Sequence, residues 1–173
     1  MAFLDLIDLK KIRRALLYAL CVIVTLGLQN MLFCQVELLG VHALFVPVIV
    51  VAIGLFEGGV WGCLFGLAAG YFCDMSFSAN TALFLVLFAV LGFLSGLLAQ
   101  FFINRRFYSY MIVAVLALFI TPICQIVPLW LFFGTPLGEL MPTVCLQTLW
   151  SVPFAVPAYF AVKAIAEKSY GDD

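Results

Sequence analysis

The chain reads as long apolar runs separated by short polar breaks, with no strict alternation of apolar and polar positions to mark strands. Residues 15–33 (ALLYALCVIVTLGLQNMLF), 81–103 (TALFLVLFAVLGFLSGLLAQFFI), 110–133 and 141–162 each approach the roughly 20 apolar residues a helix needs to cross a hydrocarbon core about 30 Å thick. The stretch 38–74 is too long for one comfortable crossing and somewhat short for two. Glu57-Gly58-Gly59 lies near its middle, where adjacent glycines allow a tight reversal and a carboxylate prefers water. Two short helices are therefore expected, at about 38–56 and 59–74. A transmembrane barrel would need short alternating segments, which these runs are not. The expected fold class is all-α: a single integral membrane domain over residues 1–173 with six transmembrane helices.

Composition agrees with that solvent. The chain is 66% hydrophobic and 10% charged, with mean hydropathy +1.24, too little polar surface to cover a water-soluble domain of this length. Charge then tests the number of crossings. The eight Lys and Arg residues sit in three places: Lys10, Lys11, Arg13 and Arg14; Arg105 and Arg106; Lys163 and Lys168. With six crossings and a cytoplasmic N-terminus all of them fall inside, as basic residues prefer. Treating 38–74 as one crossing would turn Arg105 and Arg106 outward. The expectation is a multi-pass membrane protein with both termini inside. Its outer loops, 34–37, about 75–80 and 134–140, carry Glu37, Asp74 at the edge and Glu139, and no base. The first run is too long for a signal-peptide core and no small-x-small cleavage site follows it, so it reads as an anchor. Residues 1–14, with Phe3, Leu4, Leu6, Ile7 and Leu9 among charges, suit a short helix at the inner interface.

Catalytic chemistry is sparse. His42 is the only histidine, at the outer entrance to the second helix, and makes no metal site by itself. Cys21, Cys34, Cys63, Cys73, Cys124 and Cys145 show no C-x-x-C spacing and mostly lie in apolar runs, where thiols act as small hydrophobes. Cys34 and Cys73 alone lie near the outer surface, where one disulfide is conceivable. Glu57 and Asp74 fall at opposite ends of the third helix and cannot form an acid–base pair. No nucleophile-elbow, zinc-protease or P-loop pattern occurs, and no ionisable residue lies deep in a span as a pump requires. No enzyme activity, cofactor, metal or nucleic-acid partner is expected. The uncharged Gln29, Asn30, Gln100, Thr121, Gln125 and Gln147 serve either interhelical hydrogen bonding or a small pocket.

Against that background one motif stands out. Gly58, Gly62, Gly66 and Gly70 recur every fourth residue and the series ends on Asp74. In lipid, helices associate by close packing rather than by hiding apolar surface, and a row of glycines lets another backbone approach. A step of four residues turns about 400°, so the row drifts roughly 40° per step and suits a neighbour crossing near −40°. Gly92, Gly96 and Gln100 form a similar strip on the fourth helix, which should pack directly on the third. The ladder exceeds what one two-glycine crossing uses, so it is read either as a seam inside the bundle or as a groove for another protein's membrane helix. Asp74 is expected to cap the loop by accepting N–H bonds from residues just after it, beside Ser76, Ser78 and Asn80. Pro122 and Pro128 in the fifth helix, and Pro153 and Pro157 in the sixth, invite kinks.

A proline beginning a short helix (Pro47), the ladder Gly58-x3-Gly62-x3-Gly66-x3-Gly70-x3-Asp74, a polar turn, Thr81-Ala82-Leu83 and Leu91-Gly92-Phe93-x2-Gly96 together resemble the rod shape-determining MreD family. The match is strongest over 47–96. The turn Ser76 to Asn80 departs from it by having no glycine. The resemblance implies a non-enzymatic inner-membrane subunit of the rod, or cell-elongation, complex that supports lateral peptidoglycan synthesis. It implies MreC as partner, whose single membrane helix would be a candidate for the glycine groove, and through it MreB, RodA and a penicillin-binding transpeptidase. It also implies a fold similar to the substrate-binding subunits of energy-coupling-factor vitamin transporters. Such a subunit is the rival reading: Ala15-x3-Ala19 resembles its docking pair, but the outer loops are short and poor in polar groups to enclose a vitamin.

Overall fold

A computed structural model of the chain describes residues 9–35, 44–76, 82–101, 107–133 and 137–170. Helix runs through nearly all of them: α1 (Leu9–Gln35), α2 (Val46–Glu57), α3 (Gly59–Ser76), α4 (Leu83–Phe101), α5 (Phe107–Phe133), α6 (Leu137–Ser151) and α7 (Ala155–Tyr170). A 3₁₀ turn at Val152–Phe154 joins the last two, and there is no strand among the described residues. Four apolar stretches there are long enough to cross a membrane: Ile12–Met31, Leu83–Phe101, Phe107–Val127 and Met141–Glu167. The chain is an all-α membrane protein.

Several boundaries differ from the sequence reading, each for a local reason. α1 begins at Leu9, so Lys10 to Arg14 continue its first turns instead of belonging to a separate interfacial helix; residues 1–8 lie outside the described residues. The second helix starts at Val46 rather than near 38, since Leu44 and Phe45 are non-helical and Pro47 sits in the first turn, where a missing N–H does no harm. At 12 residues it is about 18 Å long, short of a 30 Å core. α6 starts at Leu137, inside the expected outer loop. The expected last span, 141–162, is two helices, interrupted where Pro153 and Pro157 withhold their N–H groups, and it continues to Tyr170. By contrast α5 stays helical through Pro122. His42, Glu37, Ser78, Asn80, Arg105 and Arg106 lie outside the described residues.

α2 is the centre of the bundle. Its sequence, VPVIVVAIGLFE, is apolar on every side, and such a helix has no face to offer water or an interface. Val46 to Phe56 are all buried, wrapped by α1, α3, α4, α5 and α7. α1 shows how the wrapping helices divide their faces. Tyr18, Val22, Thr25, Leu26 and Gln29 turn inward, at helical spacing, while Leu16, Leu20, Ile23 and Met31 stay exposed. Those outward residues form the kind of apolar surface that a bilayer solvates. α6 is more peripheral and packs chiefly on α5 and the 3₁₀ turn.

A short helix buried in lipid must satisfy its own first N–H groups, because no water reaches them. Two side chains do this for α2. Gln29 Oε1 accepts from Phe45 N–H at 3.0 Å and from Val46 N–H at 3.2 Å, and Ser151 Oγ accepts from Leu44 N–H at 3.0 Å. Gln29 Nε2 donates to Cys73 Sγ at 3.9 Å, so this one amide ties α1, α2 and α3 together. Tyr110 works from the other side, its hydroxyl lying 3.1 Å from the Ala155 carbonyl and 3.4 Å from that of Val48.

Candidate functional site: the glycine seam and its charged ends

The α2–α3 reversal takes a single residue. Gly58 has φ +98°, in the left-handed half of the backbone map where a side chain is strained, and its N–H donates to the Gly54 carbonyl at 2.8 Å. The Gly62 N–H donates back to the Gly58 carbonyl at 3.0 Å. α3 therefore leaves α2 at once and lies against it.

From that turn the ladder runs up a seam shared with α4, and the two helices match rung by rung. A methyl group added at Gly96 would strike the Gly58–Gly59 backbone; at Gly62, the Gly92 carbonyl and Gly54 Cα; at Gly66, the Phe88 carbonyl; at Gly70, the Phe84 carbonyl and Leu85 Cα. Positions 58, 62, 66 and 70 thus face 96, 92, 88 and 84, one turn per rung on both helices. Every one of these glycines except Gly58 is buried. Gly58 has only Gln100 nearby, 3.8 Å from where its Cβ would stand. α4 fills the row at Gly62, Gly66 and Gly70, and these three rungs leave no place for a partner's helix.

Gly54 escaped the sequence reading although it is in phase with the ladder, four residues before Gly58. It lies on α2, and a Cβ there would strike Ser95 Oγ and the Gly92 carbonyl. Gly54, Gly62 and Gly92 bring three backbones to one point. Ser95, fully buried, donates to the Gly92 carbonyl at 2.9 Å beside it.

Each end of this α2–α3–α4 unit carries a carboxylate. Asp74 Oδ1 accepts from Phe84 N–H at 3.1 Å and Oδ2 from Leu85 N–H at 2.9 Å. These are orphan donors in the first turn of α4, where Ala82, just before the helix, has no side chain able to cap. Asp74 therefore caps the neighbouring helix α4, whose dipole favours its charge there, while the loop it was expected to cap, 77–81, lies outside the described residues. At the other end Glu57 does not face water alone. Arg14 Nη1 lies 3.3 Å and 3.1 Å from its two oxygens, and Tyr18 Oη donates to Oε1 at 2.8 Å. The Glu57 side chain is 8% exposed, and a recess of about 80 Å³ between Arg14, Ala15, Tyr18 and Trp61 adjoins it. Only the fold, not the spacing, brings residues 14 and 57 together.

Two threonines bond to backbone within the bundle. Thr121 donates to the Ala117 carbonyl and Thr148 to those of Val144 and Leu118. Cys73 is a free buried thiol next to Gln29, so it forms no bridge to Cys34; Cys21, Cys63, Cys124 and Cys145 are free as well. Among the described residues no group of three His, Cys, Asp or Glu side chains converges in a way that would hold a metal ion. No family model matches the chain, and no curated protein or solved structure is significantly similar to it.

Proposed function

We propose that the chain is a non-catalytic subunit of the bacterial cell-elongation machinery, of the MreD type, which binds the single membrane helix of an MreC-type partner. Through that partner it supports lateral peptidoglycan synthesis by RodA and a penicillin-binding transpeptidase, in register with MreB. In this reading it crosses the inner membrane six times, α2 being a short crossing enclosed by the others, with a fold similar to the energy-coupling-factor substrate subunits. Arg13, Arg14 and Lys163 mark the cytoplasmic side. The observation that carries the reading is the convergence of the residues on which the resemblance rests. Pro47, the four ladder glycines, Asp74, Gly92 and Gly96 all fall in one α2–α3–α4 unit, each with a packing or capping task. Since α4 fills the ladder, the partner's helix is assigned to an outer face of that unit.

The rival, a vitamin-binding subunit, has less support. The backbone donors at the N-terminus of α2 (Leu44, Phe45 and Val46) are already bound by Ser151 and Gln29. The deciding experiment is a detergent pull-down of the tagged chain from its native membrane, with mass spectrometry of proteins and small molecules. A stoichiometric single-span MreC-type protein is expected. A transporter scaffold with ATPases, or a stoichiometric vitamin, would overturn the reading.

A further inference from the structure

Asn30 is a polar residue of α1 that the bundle does not use. Its neighbour Gln29 turns inward and is bonded to the start of α2, whereas Asn30 is exposed and makes no hydrogen bond to any described residue. It belongs to the apolar stretch Ile12–Met31. With the basic turn that holds Arg14 at one edge of a hydrocarbon core about 30 Å thick, the rise to Asn30 is about 24 Å, so the amide stands inside that core. Lipid tails offer it neither donor nor acceptor. Leu16, Leu20, Ile23, Gly27 and Asn30 recur at alternating steps of four and three, the heptad spacing that sets residues in one line along a helix. All five are exposed, on the side of α1 opposite to Tyr18, Val22 and Gln29. A Cβ added at Gly27 would meet nothing within 4 Å, so another backbone can come close one turn from Asn30.

We propose that this line is the interface of a symmetric dimer, in which α1 of a second copy lies alongside and the two Asn30 amides bond to each other. The chemistry of the line selects that occupant. Copies inserted the same way in one membrane run parallel, so a two-fold axis along the membrane normal sets each residue of the line against itself. A primary amide carries both donors and an acceptor and is complementary to its own image. A lipid tail would leave it unsatisfied. A seam of Leu16, Leu20 and Ile23 ending on one Asn also has the make-up of a parallel two-helix contact, in which a single polar residue fixes the register. The basic first turns of α1 lie beyond the seam at the membrane surface, where salt screens the repulsion between copies. This inference does not depend on the elongation-complex reading.

The test is Förster transfer between donor-labelled and acceptor-labelled full-length chains in phosphatidylcholine vesicles, followed as added lipid dilutes the protein. The wild type is expected to show transfer above that of random mixing. Asn30→Leu, which keeps the line apolar but removes the amide, should need roughly tenfold more protein per lipid to reach the same transfer. Adding Ile23→Asn to Asn30→Leu returns an amide to the line and should restore association. Adding Leu28→Asn instead, exposed on α1 but off the line, should not. All three positions are exposed, and unchanged helicity by circular dichroism verifies that each variant folds. Wild-type transfer no greater than random mixing, an Asn30→Leu variant that associates like the wild type, or equal rescue by Leu28→Asn would overturn the assignment. So would a different membrane protein that co-purifies through Asn30 and leaves the chain a monomer.

Discussion

Gly66→Ala and Gly27→Ala make the same chemical change in the same solvent, and the structure gives them opposite signs. A Cβ at Gly66 would clash with the Phe88 carbonyl oxygen and stand 2.7 Å from its carbon and 3.0 Å from Ala89 Cα. Ordinary carbon contacts lie at about 3.5–4.0 Å, so α3 and α4 must part by about 1 Å at that rung. The obstacle is backbone, which cannot rotate aside. Overpacking costs about 1–3 kcal/mol, and with a rigid neighbour the upper end applies. Replacing glycine within a helix returns about 1 kcal/mol, leaving a net loss of about 2 kcal/mol. Gly27, on α1, has nothing within 4 Å of its added methyl, so only the helical gain remains, about 0.5–1 kcal/mol of stabilisation.

The assay is unfolding in mixed micelles titrated with sodium dodecyl sulfate, followed by circular dichroism and tryptophan fluorescence. The midpoints should move in opposite directions, with the two variants about 3 kcal/mol apart. A Gly66→Ala variant as stable as Gly27→Ala would refute the close seam, whatever the sequence motif suggests.

Three further changes probe the ties around the seam. Asp74→Ala should cost about 1–2 kcal/mol, as losing a helix cap does, and speed hydrogen exchange at the Phe84 and Leu85 amides; Asp74→Asn should be milder because one oxygen still accepts. Glu57→Gln should destabilise by about 1–3 kcal/mol, below the range for a fully buried pair because the Arg14 side chain keeps 18% of its exposure, and a double-mutant cycle with Arg14→Gln should return coupling of that sign. Gln29→Leu strands two backbone donors in the bilayer and should cost about 2–4 kcal/mol, read in the same titration; a loss near zero would mean that α2 does not depend on this amide.

Hydropathy made the helices legible because lipid imposes one rule on every crossing, that the backbone bond to itself. It did not locate the start of α2. Residues 38–45 are as apolar as the helix that follows, and what fixes Val46 as the first turn is Gln29 from α1 and Ser151 from the end of α6. The glycine period announced a close contact, and the matching strip Gly92, Gly96 and Gln100 named α4 as the neighbour, but neither showed that α2 joins them at Gly54. Gly54 was in phase and still missed, because the reversal at Gly58 hands the ladder from α2 to α3. Asp74 was visible as a cap, while the identity of its donors required the start of α4 to return beside it. Arg14 and Glu57 left no local trace at all.

The unit built on these ties is expected to behave cooperatively, and the reason lies in the shortness of α2. A helix of about 18 Å cannot place both ends at the membrane surfaces, so each end must be held by side chains from elsewhere: Gln29 and Ser151 at one, Arg14 and Tyr18 on Glu57 at the other. Between them, Gly54, Gly62 and Gly92 bring the three backbones into direct contact, and the Ser95 hydroxyl beside them is held by its bond to the Gly92 carbonyl, so little is free to cushion a shift. A displacement of one helix there is transmitted to the other two. α6, packed chiefly on α5 and the 3₁₀ turn, joins this constraint through Ser151 at its end. A motif read across α2, α3 and α4 is then the signature of a rigid platform, and in the proposed reading a partner meets it on the faces that the platform presents outward.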